Sequence, residues 1–326
     1  MISVEHLTKC YGDFTAVKDL SFEIDEGHVY GFLGPNGAGK STTMNIMTGC
    51  LSATSGRVRI GGFDIFEDAK KAKRLMGYLP EHPPLYMTES PVEYLRFVGE
   101  AKGLCGDRLR QEIAKVIEQT KITHVKKQRI SDLSKGYKQR VGIAQALLGN
   151  PKVIILDEPT VGLDPIQIIE IRSLIKELGQ MHTVIFSSHI LSEVQAICDQ
   201  VLIIAGGKLI AFDEPGNLEK QLMTSNEIVI TTNTAVEEVK EILGNIHDIT
   251  EIAMEKTAAG FLKIHLKTGH DDIYKVSGAV FSVFAENGKL LLEMTLKKAN
   301  LEDVFIELTE RIDIQEEETE SEVFDK

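Results

Sequence analysis

The stretch Val29-Tyr30-Gly31-Phe32-Leu33-Gly34-Pro35-Asn36-Gly37-Ala38-Gly39-Lys40-Ser41-Thr42 decides how this chain folds. A short apolar run leads into a glycine-rich turn, and the turn leads into a helix-forming segment. The spacing Gly34-x-x-x-x-Gly39-Lys40-Ser41 is that of a phosphate-binding loop. Gly34, Gly37 and Gly39 let successive backbone N–H groups turn inward on one anion. The helix that follows presents unpaired N-terminal N–H groups and a positive dipole end to the same phosphates. Lys40 adds a mobile charge on the terminal phosphates, and the Ser41 hydroxyl can ligate Mg²⁺. Pro35, Asn36, Ala38 and Thr42 complete the expected nucleotide-binding set.

Strands and helices alternate on both sides of this loop. Residues 2–7, 16–24 and 57–60 alternate apolar and polar side chains and read as strands of an antiparallel layer, with turns at 9–13 and 61–64. Residues 28–33, 76–79, 152–157 and 183–186 are short apolar runs that read as buried strands. Residues 42–48, 165–179 and 191–198 read as helices, and 201–205 with 208–212 as a hairpin about Gly206-Gly207. Buried strands alternating with helices imply a parallel sheet with its ligand site at the strands' carboxyl ends. Between 90 and 150 the period is helical throughout. Ser90-Pro91 is a start signal, and 107–120 and 135–148 follow as helices. The basic segments 70–74 and 121–129 read as solvated helix faces. The expected fold class is α/β: a P-loop NTPase core with an N-terminal antiparallel β-layer and a helical insert.

After Pro215 the pattern changes to strands at 227–231, 261–266 and 290–296 and helices at 235–243, 271–287 and 301–308. No motif falls there. The expected organisation is a phosphate-loop domain over 1–219, with its helical insert at about 90–150. A small α+β accessory domain over 225–309 follows, and then an acidic, disordered tail over 310–326.

The 326 residues carry a net charge of −13, which argues against a nucleic-acid binder, since such a protein needs a phosphate-neutralising basic face. Cys10, Cys50, Cys105 and Cys198 are widely spaced and form no C-x-x-C pair, so free, reduced thiols are expected. Met1-Ile2-Ser3-Val4-Glu5 leads straight into a strand, and no signal peptide is expected. Apolar runs such as 201–205 are too short to span a bilayer, which takes about 20 residues. Work at a membrane would therefore need another chain to do the crossing.

Asp157 ends an apolar strand, where a Mg²⁺-bridging carboxylate belongs in a phosphate-loop hydrolase. Glu158 follows it, placed to polarise the water that attacks the terminal phosphate. Just ahead of that strand, Leu133-Ser134-Lys135-Gly136-Tyr137-Lys138-Gln139-Arg140 combines a helix N-cap with a second anion-facing N-terminus.

This last segment resembles the signature motif of ATP-binding-cassette (ABC) proteins, Leu-Ser-Gly-Gly-Gln. Ser134 and Gly136 match, while Lys135 and Tyr137 depart from it. The resemblance covers about residues 1–220. It implies that Tyr11 stacks on adenine, that Gly162-Leu163-Asp164 carries communication between two ATP sites, and that His189 contacts the γ-phosphate. It also implies that Glu81, standing where Gln is usual, contacts the metal together with Ser41 and Asp157. The implied catalytic set is Lys40, Glu158 and His189, with ATP and Mg²⁺ as ligands. ATP would be held between two chains head to tail, each phosphate loop facing the other chain's Ser134–Gly136 segment. The partner chain would be a second copy or a related ATP-binding subunit. A separate integral-membrane permease would be driven from the cytoplasmic face of the cell membrane, through the loop at 81–86 and the insert. The Pro80-Glu81-His82-Pro83-Pro84-Leu85-Tyr86 run, the Lys-Gly-Tyr variant and residues 301–308 are similar to the branch that pairs with ABC-2-type permeases, including subunits linked to gliding motility. A soluble ABC ATPase acting on nucleic acid or ribosomes is disfavoured by the charge and by the single set of motifs.

Overall fold

The computed structural model describes residues 1–222, 226–244, 246–257, 260–270 and 272–297. The expected helix at 301–308 and the acidic tail lie outside the described residues. The chain divides into two compact units, one containing Met1–Pro215 and the other within Gly216–Glu307.

The first unit opens with β1 (Ile2–Tyr11) and β2 (Phe14–Ile24), then β3 (Val29–Leu33) and α1 (Lys40–Met47). Next come β4 (Ser55–Ile60), β5 (Phe63–Asp64), α2 (Ala69–Arg74) and β6 (Met76–Leu79). The helical insert holds α3 (Pro91–Ala101), α4 (Gly106–Gln119) and α5 (Lys135–Leu147). The unit continues with β7 (Val153–Leu156), α6 (Pro165–Gly179), β8 (Thr183–Ser188), α7 (Leu191–Ile197), β9 (Gln200–Ala205) and β10 (Lys208–Asp213).

Two sheets share a core. The antiparallel layer has the order β2-β1-β4-β5, and the central sheet the order β10-β9-β3-β8-β7-β6. Every residue of β3, β7 and β8 is buried, which is why these strands read as unbroken apolar runs rather than alternating ones. Val4, Phe22, Ile60 and Met44 meet Phe32, Ile155, Ile185 and Leu202 in one apolar cluster. β6, β7, β8, β3 and β9 run parallel, with Leu79 opposite Leu156, Leu156 opposite Phe186, and Leu33 opposite Ser188. Their carboxyl ends are therefore level. The segments that leave them begin at Gly34, Pro80, Asp157 and His189, so the phosphate loop, Glu81, the carboxylate pair and His189 gather at one end of the sheet.

The insert starts as its sequence signals require. Ser90 caps α3 in a capping box with Glu93, and Pro91 takes the first helical position. Two segments differ from expectation. Residues 9–11, expected to be a turn, belong to β1, which carries register irregularities between Val4 and Cys10. His6 and Asp19 stand at φ 50 and 51 within the β1–β2 pair, and these irregularities break the alternation on which the reading relied. The basic segment 121–129 is not a helix. α4 ends because Lys121 takes φ 57 and the Ile122 N–H bonds back to Ile117 O at 3.1 Å, closing the helix end.

The second unit holds α8 (Pro215–Leu222, which begins at the boundary), β11 (Asn226–Thr232), α9 (Val236–Leu243), β12 (Ile249–Lys256), β13 (Leu262–Thr268), α10 (Ile273–Glu286) and β14 (Leu291–Lys297). The sheet order β12-β13-β11-β14, all antiparallel, is that of a split β-α-β unit. Phe284, Val280, Ile264 and Ile230 centre its separate core. β12 was not anticipated: six of its eight residues are exposed, so no buried face shows in its sequence.

Candidate nucleotide site

The turn between β3 and α1 is shaped by its glycines. Gly39 has φ 98, and a Cβ there would stand 2.5 Å from the Ala16 carbonyl oxygen. Gly37 has φ 85. Gly39 precedes α1 without any side-chain cap, and the first turn carries no acidic residue, so its N–H groups remain for an anion. Lys40 is buried, and its Nζ donates to Gly34 O at 2.7 Å and Pro35 O at 3.1 Å. Glu158 Oε1 lies 3.7 Å from the same ammonium. Burial pulls the Lys40 ammonium below the ordinary lysine range, against the attraction of Glu158 and Asp157.

The two carboxylates at the end of β7 have different settings. Asp157 is almost fully buried and accepts the Ser41 hydroxyl at 3.1 Å and the Ser187 hydroxyl at 2.6 Å. Burial holds its carboxyl above the usual aspartate range despite these two hydrogen bonds. Glu158 takes φ 45, a left-handed conformation unusual for a residue with a Cβ. Its N–H donates to Ser187 Oγ at 2.7 Å, and its Oε2 lies 3.0 Å from His189 Nδ1.

These groups open on a cleft of about 410 Å³ lined by Asn36, Gly37, Gly39, Lys40, Ser41, Thr42, Glu81, Glu158 and His189, with Tyr11, Phe14, Ala16 and Val161 at its other side. Tyr11 and Phe14 pair across the β1–β2 hairpin end and are 49% and 64% exposed, so both rings are open to a planar ligand. The Lys9 ammonium stands 5.1 Å from the Tyr11 ring centroid. Glu81 sits at the rim, its side chain 42% exposed. Gly34, Pro35 and Ala38 lie behind the lining: Gly34 packs against the Ile204 carbonyl, and the Ala38 N–H closes on Pro35 O at 3.2 Å.

Ser134 and Gly136 are not in this cleft. They line a second one of about 250 Å³ with Tyr137, Arg140, Asp164, Gln167 and Glu170. Ser134 caps α5, its Oγ accepting the Tyr137 N–H at 3.4 Å. Buried Gly136 lies against Gln167 at the start of α6, where Asp164 is the N-cap. Sequence reasoning did not find Phe14 or Ser187. Phe14 carried a usable signal as a second aromatic across a tight turn from Tyr11. Ser187 looked like one more strand-end residue.

A glycine-rich loop feeding an uncapped helix, beside a strand ending in two carboxylates, on a parallel sheet with an antiparallel β-layer and a helical insert, defines the ATP-hydrolysing cassettes. The sequence model described as "ABC transporter" matches residues 17–161. The linearmycin resistance ATP-binding protein LnrL of Bacillus subtilis is 34% identical, with 95% of this chain and 99% of that protein aligned. The bacitracin transport ATP-binding protein BcrA of Bacillus licheniformis is 35% identical over 94% of this chain and 97% of its own length. Among solved structures, cbiO1 of Clostridium perfringens, part of the ABC transporter complex cbiONQ, is 29% identical with a TM-score of 0.62, covering 75% of this chain and 95% of its own. The dimeric ATP-binding cassette MJ0796, bound to ADP and Pi, is 25% identical with a TM-score of 0.60, covering 66% of this chain and 98% of its own. The chain belongs to the ATP-binding subunits of ABC transporters, and it is an ATPase.

Proposed function

We propose that this subunit hydrolyses ATP in a head-to-tail dimer to drive a separate ABC-2-type membrane permease, exporting an antibiotic from the cytoplasmic face of the membrane. The observation that carries this reading is the Glu158–His189 pair, 3.0 Å apart, at the open side of the phosphate loop. Glu158 accepts the proton of the attacking water, and His189 holds the Glu158 carboxylate and reaches the γ-phosphate. Lys40 leaves its own loop's carbonyls to neutralise the terminal phosphates as they enter. Tyr11 stacks on the base.

Mg²⁺ fits the residues present. Ser41 and Asp157 offer hard oxygen donors 3.1 Å apart, and a cation there would offset the burial of the Asp157 carboxylate. Among the described residues no cluster of three His, Cys, Asp or Glu side chains could hold a metal by itself. Mg²⁺ needs no such cluster, because it keeps several waters and takes substrate phosphates as ligands. Ser41 and Asp157 would hold it, with Glu81 from the rim. Bound there, it would neutralise charge on the phosphate oxygens.

The second cleft supports the dimer. Ser134 and Gly136 lie apart from their own phosphate loop, so they serve the nucleotide of another chain. ATP then links two chains, and hydrolysis removes the link. Among the described residues no helix is long and apolar enough to cross a membrane, which is consistent with a separate permease. Tyr86, Met87 and Phe97 are exposed together on the insert side, Tyr86 packing on Phe97 and Tyr94 at 5.1 and 5.6 Å between ring centroids. An apolar patch of this kind suits a permease loop. The names of the relatives favour an antibiotic as cargo over the gliding-motility machinery to which the motif variants also point. Capture of the tagged chain from detergent-solubilised membranes tests the reading. A polytopic protein recovered in stoichiometric amount supports it, and recovery of the subunit without any membrane protein refutes it.

A further inference from the structure

Glu193 is a buried carboxylate on α7 that stands behind the nucleotide cleft. It is 1% exposed and is not among the residues that line the cleft. One of its oxygens, Oε2, accepts two hydroxyls, from Thr160 at 2.7 Å and from Ser188 at 2.9 Å. Both donors are themselves buried. Thr160 comes two residues after Glu158, and Ser188 comes immediately before His189. A single oxygen atom therefore joins the segment that carries Glu158 to the segment that carries His189. On the cleft side those two side chains meet at 3.0 Å.

Glu193 holds these segments from a fixed base. α7 packs on β3 at Gly31, where a Cβ would stand 2.4 Å from Val194 Cγ1 and 2.8 Å from Cys198 Sγ. The residue next to Glu193 thus fixes the helix on the strand that feeds the phosphate loop. Ser188 is tied to its own turn as well, its Oγ accepting the Ile190 N–H at 3.0 Å. The loop after Glu158 folds back on itself, with the Val161 N–H on Glu158 O and the Leu163 N–H on Thr160 O, both at 3.2 Å. A shift of Thr160 is therefore passed to Glu158. The second carboxylate oxygen shows that stability alone does not account for Glu193. Oε1 faces Arg172 of α6, whose Nη2 is 3.4 Å away, and neither Oε1 nor Arg172 Nε makes a hydrogen bond. A buried charge with an unfilled acceptor costs stability, and well-packed apolar side chains fill such a space at less cost. A local rule broken in this way marks a functional position.

We propose that Glu193 is a positioning residue for ATP hydrolysis: by holding Thr160 and Ser188 on one oxygen it keeps the Glu158 carboxylate against the His189 ring, so that the base stays aimed at the attacking water. This rests on the role given above to the Glu158–His189 pair. Because Glu193 stands outside the cleft, its loss acts on the geometry of the chemical step and not on ATP affinity. Misplacing a reacting group by about 1 Å costs roughly 100-fold in rate.

The test measures ATPase rates and ATP affinity of the full chain, well below the unfolding temperature of each variant. Glu193→Gln keeps a carbonyl oxygen for both hydroxyls, and Glu193→Ala removes it. The expected result for Glu193→Ala is a kcat reduced about tenfold or more, with the Kd for ATP changed by less than about twofold. Glu193→Gln should restore most of that kcat. Thr160→Val and Ser188→Ala each remove one arm and carry the test if Glu193→Ala does not fold; each should lower kcat in the same way. Wild-type kcat in Glu193→Ala, or in both single-arm variants, overturns the proposal. A Gln form as slow as the Ala form also overturns it, since the effect would then lie in the charge facing Arg172 and not in the two hydroxyls. Glu158→Gln is the reference. If it turns over ATP normally, the reading of the pair fails and this proposal fails with it; if it is slow while Glu193→Ala is normal, only the role of Glu193 falls.

Discussion

Ser187 joins the two carboxylates of the site: its hydroxyl donates to Asp157 Oδ1 at 2.6 Å, and its oxygen accepts the Glu158 N–H at 2.7 Å. The left-handed backbone of Glu158, at φ 45, is held by that second bond. Replacing Ser187 by Ala leaves a buried N–H unpaired and costs about 1–3 kcal/mol. The variant should unfold at a lower temperature without nucleotide. It should also lose kcat more than it raises KM, because Glu158 is no longer aimed. Thermal unfolding and steady-state ATPase rates measure the two effects; an unchanged kcat would show that Glu158 needs no such support.

Glu158→Gln keeps the shape and the His189 contact but cannot take a proton. A positioned base contributes about 10²–10⁴-fold, and hydrolysis should fall by that factor. ATP binding should persist, since the substitution leaves the phosphate loop and the charge of Lys40 in place and removes a negative charge from the cleft lining. Single-turnover hydrolysis beside equilibrium ATP binding separates the two, and normal turnover would exclude the base role.

Where hydrophobic period and turn chemistry agree, the fold was legible: 76–79 and 165–179 appear as expected, and Gly34–Ser41 bends as its glycines require. The irregularities of β1 hid residues 9–11, because each one shifts the alternation to the other face. β12 was hidden by its exposure, since a strand with no buried face has no pattern to read. In the site, the residues of the loop and the carboxylate pair were legible because their chemistry is local. Ser187 was not, because its role depends on β8 lying beside β7, which no residue near Ser187 reports.

Lys40→Ala removes the one ammonium that lines the cleft among the described residues and leaves Glu158 without its cation at 3.7 Å. Hydrogen bonds to charged groups are worth about 1.5–3 kcal/mol each, so ATP affinity should fall at least tenfold. Because the Lys40 side chain also ties down Gly34 and Pro35, the empty loop should become more mobile. Fluorescent-nucleotide titration reads the first effect, and hydrogen exchange over the loop the second. Wild-type affinity would contradict the assignment of this loop to the phosphates.

Gly77 lies in the middle of β6, where the sheet meets α5. A Cβ at Gly77 would stand 2.0 Å from the Ala146 carbonyl oxygen and 2.7 Å from its carbon, both backbone atoms that cannot swing aside. The same contact is tied by Gln145, whose side-chain amide donates to the Tyr78 carbonyl at 2.6 Å. Gly77→Ala must push α5 away from β6, and overpacking of this kind costs about 1–3 kcal/mol. The consequence reaches the site from two directions, because α5 begins at the Ser134 cap and β6 leads into Glu81. Stability should drop by that amount in denaturant titration. ATP binding to the isolated chain should change little, since the phosphate loop leaves β3 and not β6. Hydrolysis that depends on chain–chain contact should fall further than binding does. A variant with full stability would mean that α5 moves freely on the sheet, and the packing described between Gly77 and Ala146 would then not hold in solution.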